Sequence, residues 1–157
     1  MVLSIRSAIA SDTGTLVSFI RKLAVYEKLL AQVQVTEENL ARTLFCEHPK
    51  AFAILAEDAG EPVGFAIYFF NYSTFLGSHG LYIEDLYVDE AVRGKGVGMA
   101  MFRYLAGVAR REQCGRMEWW VLNWNKPAID FYEKLGAVPM DEWTVYRLDQ
   151  QMIGELA

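Results

Sequence analysis

The chain has 157 residues, of which 53% are apolar, 22% charged and 13% aromatic, a composition that suits one globular domain with a sizeable core. Twenty acids against fifteen Lys and Arg leave a net charge of −5. A nucleic-acid binder needs a basic footprint to neutralise phosphates, so that class is set aside, whereas cationic small molecules fit the sign. No apolar run approaches the roughly eighteen residues of a membrane span, and Met1–Arg6 is too short for a secretory leader. Cys46 and Cys114 have neither metal nor redox spacing, so the expectation is a reduced, cytoplasmic protein with no metal site and no nucleic-acid or membrane partner.

In chain order, Val2–Ala8 alternates as a first strand. Ser11 and Asp12 can cap a helix whose apolar positions Leu16, Phe19, Ile20 and Leu23 fall at helical spacing. Thr36 caps a second helix, with Glu37 and Glu38 at the positive end of its dipole, and His48-Pro49 ends it. The period then changes. Ala51–Glu57 and Val63–Tyr72 read as strands joined by a hairpin turn over Asp58-Ala59-Gly60-Glu61-Pro62, and Leu81–Val88 reads as a third.

The run Gly94–Gly98 leads into a helix with Phe102, Leu105 and Ala109 on one face, and Met117–Leu122 is a further strand. Asn125 caps a short helix with Pro127 in its first turn, Gly136 closes it in the left-handed conformation, and Trp143–Leu148 makes the last strand. The expected order β-α-α-β-β-β-α-β-α-β is an α/β (α+β) fold in a single domain over residues 1–157, mostly antiparallel in its first half.

The segment after Val88 is the most informative. A strand ends and a glycine-rich turn places a helix N-terminus beside it, where unpaired N–H groups and the helix dipole attract an anion. Glycines let phosphate oxygens approach the backbone, and Arg93 and Lys95 add positive charge. The glycines alone would also fit a plain connecting turn. Met99 stands where a dinucleotide fingerprint needs its third glycine, and no Gly-Lys-Ser/Thr follows as in a P-loop.

Read as Arg-x-x-Gly-x-Gly, the residues Arg93, Gly96 and Gly98 resemble the coenzyme A pyrophosphate motif of the GNAT family of N-acetyltransferases. The preceding strand, the following helix and the Asn125–Leu135 segment come in that family's order, and the resemblance covers essentially the whole chain. It implies a mixed, twisted central sheet of about six to seven strands flanked by helices, with acetyl-CoA as co-substrate. It implies cofactor contacts from Leu86, Tyr87 and Val88, from Arg93, Gly94, Lys95, Gly96, Val97, Gly98 and Met99, and from Asn125, Pro127, Ala128 and Tyr132.

Moving an acetyl group from a thioester to an amine requires that the ammonium lose a proton, that the developing oxyanion meet donors, and that the departing thiolate gain a proton. Tyr132 is the candidate general acid. It shares a helix face with Ala128, Ile129 and Leu135, and a phenol with a reference pKa of about 10 is protonated at neutral pH. Spacing alone fits a core tyrosine as well; the family's thiolate-protonating tyrosine falls at this position.

Glu84 is the candidate base. Strand alternation puts it on the face of Leu86 and Val88, with Asp85 on the other, and two adjacent acids in an apolar strand need a compensating partner or a function. A structural salt bridge would serve equally well.

Within the family the chain is most similar to the spermidine/spermine and thialysine acetyltransferase branch, on Leu23–Lys28, Tyr82–Asp85 and above all Trp124–Tyr132. That branch implies an acidic, aromatic channel for an extended cation, formed by Tyr26, Glu27, Glu84 and Asp85, with Trp119, Glu142 and Trp143 as further candidates. Carboxylates pair with ammonium groups, and aromatic faces hold both methylenes and cations. The short stretch from Gly136 to Trp143 leaves open whether Asp141 or Glu142 takes the acidic position.

Glu118-Trp119-Trp120 departs from the polyamine enzymes and could shorten the pocket toward a smaller diamine or a lysine-like amine, although alternate strand tryptophans also pack cores and interfaces. His48 and His79 are given no ligand role. The tail Gln150–Ala157 resembles dimer-contributing segments, which implies a homodimer. A protein acetyltransferase and a non-catalytic acyl-CoA-binding module remain as other readings.

Overall fold

The computed structural model describes residues 1–157, which divide into two compact units, Met1–Trp120 and Val121–Ala157. The first opens with β1 (Leu3–Ser7) and α1 (Thr13–Tyr26). Asp12 precedes α1 as expected, but its side chain makes no cap bond. Its carboxylate accepts instead from the Ile9 N–H at 2.8 Å and from the Arg6 guanidinium at 2.7 and 3.0 Å. Arg6 also donates from Nε to Glu57 at 2.8 Å, so one guanidinium ties β1 to the start of α1 and to the neighbouring strand. The Arg6 bond holds the Asp12 carboxyl below its ordinary value, against the opposing effect of burial.

α2 (Glu37–Leu44) begins as expected: Thr36 Oγ1 accepts from the Asn39 N–H, and Asn39 Oδ1 accepts from the Thr36 N–H, both at 3.1 Å. This reciprocal cap satisfies two otherwise orphaned donors.

β2 (Phe52–Asp58) and β3 (Glu61–Ser73) form the expected hairpin. Its two turn residues, Ala59 and Gly60, lie at φ +52° and +92°. That pair of signs matches the right-handed twist of the flanking strands. β4 (Ser78–Val88), α3 (Val97–Arg111) and β5 (Met117–Trp119) complete the unit.

The strands lie in the order β1-β2-β3-β4-β5, antiparallel except for the parallel pair β4–β5. On one face α1 and α2 cover a core of Leu16, Phe19, Leu40, Ala53, Leu55, Phe65, Ile67 and Tyr87, in which the Phe19 and Phe65 rings stack at 5.8 Å. On the other face α3 buries Val97, Met101, Phe102, Leu105, Val108 and Ala109, which includes the three positions that sequence spacing singled out.

In the second unit, α4 (Lys126–Lys134) is capped by Asn125, whose side chain accepts from the Ala128 N–H at 3.4 Å, with Pro127 in the first turn. It closes as expected: Gly136 lies at φ +87°, and the Ala137 N–H reaches back to the Tyr132 carbonyl at 3.1 Å, the bond that ends a helix through a left-handed residue. α5 (Gln150–Leu156) was not foreseen. Asp149 caps it by accepting from the Met152 N–H at 2.9 Å, a signal present in the sequence.

The sheet has five strands, not six to seven. The expected strand Met117–Leu122 is formed only over Met117–Trp119, and Trp143–Leu148 has no regular structure. Alternation makes a segment compatible with a strand, but a strand exists only where its N–H and C=O groups find a ladder partner. The second unit contains no strand to pair with Trp143–Leu148.

Candidate active site

The strand β4 does not run straight. Ile67 of β3 stands opposite Asp85, yet the next residue, Tyr68, stands opposite Ile83. Glu84 is therefore an extra residue, a β-bulge, and the alternation resets across it. Directly opposed residues share a face, so Tyr82 (opposite Phe69), Asp85 (opposite Ile67) and Tyr87 (opposite Phe65) all lie on the face covered by α1.

The expected arrangement, with Glu84 and Asp85 on opposite faces, is corrected by this bulge, which a simple two-residue period cannot represent. Leu86 and Val88, opposite Ala66 and Gly64, lie on the other face. Asp85 is partly buried and Glu84 is exposed. Burial, with Glu84 and then Glu27 adding to it, pushes the Asp85 carboxyl up to about 7. Burial, then the charges of Glu84 and Glu118, also raises the Tyr82 phenol.

Glu27 comes to this cluster from the end of α1. Its N–H closes the helix on the Leu23 carbonyl, and Lys28 follows at φ +62° with the Leu29 N–H returning to the Ala24 carbonyl at 2.8 Å. A non-glycine residue in the left-handed region is uncommon. Here it ends α1 and turns the chain back after Glu27. Burial raises the Glu27 carboxyl as well.

Arg93 joins the same region. Its guanidinium lies over the Tyr26 ring at 4.8 Å and the Tyr87 ring at 5.4 Å, and its Nε donates to the Val88 carbonyl at 3.0 Å. Lys22 pairs with Asp89 at 2.6 Å and lies over Phe19. Between these groups runs an open groove of about 580 Å³ bounded by Ser18, Lys22, Tyr26, Tyr87 and Glu90. Neither the stacking of Arg93 on two tyrosines nor the Lys22–Asp89 pair is legible from spacing, because both join residues far apart in the chain.

After β4 a short 3₁₀ turn (Glu90–Val92) leads into the glycine segment. Gly94 and Gly96 lie at φ +77° and +86°, so glycine is required there by backbone conformation. A Cβ at either would meet nothing within 4 Å, which leaves the space over the turn open.

The first α3 bond runs from the Ala100 N–H to the Gly96 carbonyl at 3.0 Å. The amides of Val97, Gly98 and Met99 precede it, at the positive end of the dipole, where a helix has no carbonyl to offer them. These groups fit a pyrophosphate, by charge and by donor type. Lys95 is at the same turn, its Nζ donating to the Ala91 carbonyl at 3.1 Å. Nearby, β5 pairs with β4 only over Leu81–Ile83, so from Glu84 to Val88 that edge of β4 carries no strand.

The tryptophans separate. Trp119 stands opposite Ile83 and meets Phe102 of α3 edge-on at 5.1 Å, so it lies on the α3 face and is not brought to the acidic cluster. Trp120 meets Tyr82 edge-on at 6.1 Å. It therefore shares the Tyr82 face, so of the two indoles expected to shorten the pocket only Trp120 lies on the side of the acidic cluster.

In the second unit Asn125 is buried, Ala128 and Tyr132 are partly buried on α4, and Tyr132 packs beside Phe131 with ring centroids 5.7 Å apart. Asp141, Glu142 and Trp143 are exposed in the stretch before α5. No helix is long and apolar enough to cross a membrane.

Comparison with known proteins gives the family. The pattern of the acetyltransferase (GNAT) family matches residues 9–137. The chain is 39% identical over 164 aligned residues to a thialysine N-epsilon-acetyltransferase of Bos taurus, covering 98% of this chain and 96% of the relative. It is 31% identical to an L-ornithine N5-acetyltransferase of Arabidopsis thaliana, covering 92% and 83%.

Among solved structures, an integron cassette protein of V. cholerae superimposes with a TM-score of 0.81 at 28% identity, covering 99% and 98% of the two chains. The chain belongs to the acetyltransferase (GNAT) family and is an N-acetyltransferase.

Proposed function

We propose that the protein transfers the acetyl group of acetyl-CoA to a primary amine of a small cationic substrate, either a lysine-like amino acid or a diamine or polyamine. In this reading residues 1–157 act as one catalytic domain, in a cytoplasmic homodimer. The observation that carries the amine class is the bulge at Glu84, which gathers Glu84, Asp85 and Glu27 into one electronegative cluster beside aromatic rings. Such a cluster attracts an ammonium group and repels an anionic acceptor. Relatives named for thialysine and for L-ornithine support it.

Acetyl-CoA supplies the thioester carbonyl carbon that the amine attacks. The amides of Val97, Gly98 and Met99, with Gly94, Lys95 and Gly96 around them and Arg93 flanking the turn, would hold the pyrophosphate. The unpaired β4 edge at Leu86, Tyr87 and Val88 would bond the amides of the pantetheine arm, and Asn125, Pro127 and Ala128 set the first turn of α4 for the same ligand. Glu84 and Asp85 hold the ammonium and relieve it of its proton, with Tyr26 and Glu27 lining its path. Tyr132 gives its phenolic proton to the departing thiolate.

Of the other expected substrate residues, Glu142 and Trp143 would meet the far end of an extended cation, while Trp119, on the α3 face, would act only through its packing on Phe102. Incubation with acetyl-CoA and a panel of lysine, thialysine, ornithine, diamines and polyamines, following free thiol, tests the reading. Thiol release accelerated by at least one of these amines is expected, and no acceleration by any of them overturns it.

A further inference from the structure

We propose that Lys22 is a positioning residue for the cofactor: through Asp89 it holds, from α1, the turn that receives the pyrophosphate of acetyl-CoA. The inference rests on the placement of the pyrophosphate at that turn, and it assigns a role to a helix outside it.

The turn has little above it to hold it in place. Gly94 and Gly96 stand at positive φ, a Cβ on either would meet nothing within 4 Å, and Arg93, Gly94, Lys95 and Gly96 are all exposed. Glycine has more backbone freedom to lose than any other residue. A loose turn would lose part of its affinity for a ligand in becoming ordered, unless the fold orders it beforehand.

Within the turn the bracing is local. The Val92 N–H donates to the Asp89 carbonyl at 3.0 Å, the Arg93 N–H to the Glu90 carbonyl at 3.3 Å, and the Lys95 ammonium to the Ala91 carbonyl at 3.1 Å. These bonds join residues close in sequence, so they shape the turn without fixing where it lies against the sheet.

Two residues of α1 do fix it. Lys22 and Tyr26 are spaced i, i+4 and so share a helix face. Lys22 pairs with Asp89 at 2.6 Å, the one ion pair that joins the turn to another element, and Tyr26 lies under the Arg93 guanidinium at 4.8 Å. The helix thus grips the turn near both of its ends.

The Lys22–Asp89 end is firmly anchored on each side. The Asp89 N–H donates to the Val63 carbonyl at 2.9 Å, and its carboxylate also accepts from the Ala91 N–H at 3.3 Å. The Lys22 ammonium lies 5.3 Å from the centre of the buried Phe19 ring. Exposed ion pairs gain little because freezing two long side chains opposes them. Here the aspartate is short and already caps the turn, and the lysine rests on the core, so less of that freedom remains to be lost.

Lys22 also neutralises Asp89, an acid close to a site for an anion. Neutralising and positioning make opposite predictions for the aspartate. If Lys22 only cancelled a charge, Asp89→Asn would strengthen CoA binding, because the repelling carboxylate would be gone. If the pair holds the turn, Asp89→Asn weakens it.

The test is the dissociation constant of CoA, by isothermal titration calorimetry, for the wild type, Lys22→Met, Asp89→Asn, the double variant and Lys22→Arg. Methionine keeps an unbranched apolar chain over Phe19 without the charge, and asparagine keeps an oxygen for the Ala91 N–H. Each single variant should weaken CoA by about three- to fivefold, the scale of one such pair. The double variant should lose no more than either single one, and Lys22→Arg should restore affinity to within about twofold. The KM for acetyl-CoA should follow these constants while kcat at saturating acetyl-CoA changes by a smaller factor, a split that a general loss of structure would not produce.

Tighter CoA binding in Asp89→Asn, additive losses in the double variant, or unchanged affinity in Lys22→Met overturns the inference. Gly96→Ala examines the placement beneath it, because a side chain at φ +86° strains the turn. It should weaken CoA by about tenfold. Unchanged affinity in Gly96→Ala removes the pyrophosphate from the turn, and the role of Lys22 with it.

Discussion

Replacing Asp85 by Asn should stabilise the protein above neutral pH. The carboxyl has an ordinary value of 3.8 and stands at about 7 in the fold. Between those values the folded chain keeps a proton that the unfolded chain has released, so stability falls as pH rises across the window. Once ionised, the buried carboxylate costs the folded state about 4 kcal/mol relative to its protonated form. Asparagine avoids that term but leaves an amide to be satisfied, which returns about 1–2 kcal/mol.

The net gain of about 2 kcal/mol corresponds to about 4–8 °C in Tm for a chain of this size. Thermal unfolding of wild type and Asp85→Asn by circular dichroism at pH 8 and pH 5 measures it. The variant should melt higher at pH 8, and the difference should shrink toward zero at pH 5, where both side chains are neutral. Equal melting at both pH values, or a wild type more stable at pH 8, would refute the reasoning. Stability withheld at a reactive group is a common trade-off at active sites.

Three further outcomes are expected. Tyr132→Phe should lower kcat at neutral pH by about tenfold or more, the scale of general acid catalysis; steady-state kinetics checks it, and unchanged turnover removes Tyr132 from the mechanism. Arg93→Ala should raise the KM for acetyl-CoA. Since its guanidinium also lies over Tyr26 and Tyr87, the KM for the amine should rise too, by about tenfold for a partly desolvated cation–π contact; an effect on the amine alone contradicts a pyrophosphate role.

Arg6→Ala should cost about 1–2 kcal/mol at pH 7, because it leaves Asp12 and Glu57 without their shared donor. The folded Asp12 carboxyl lies below its unfolded value, so this contribution is present above the unfolded value and is lost as pH falls from there through the lower folded one. Urea unfolding at pH 7 and pH 3 should therefore show the two proteins converging in acid.

The sequence determined what is local or periodic. Helical spacing of Leu16 and Phe19, or of Phe102, Leu105 and Ala109, fixes which face turns inward wherever the helix docks. The caps at Thr36 and Asn125, the Ala59-Gly60 turn and the closure at Gly136 involve residues within five positions of one another. The glycine turn was likewise readable, since it needs only positive φ at Gly94 and Gly96 and a helix that starts at Val97.

Tertiary structure decided everything that depends on which strand meets which. Trp143–Leu148 alternates as well as any strand but gains no ladder partner, so the sheet stops at five. The bulge at Glu84 shows only in the register against Ile67 and Tyr68, and it alone brings Asp85 to the face of Tyr82 and Tyr87. Arg93 finds Tyr26 only because α1 ends over β4, across 67 residues of chain from one to the other. Pairing register and long-range contact are properties of the folded chain, and no periodicity within one segment encodes them.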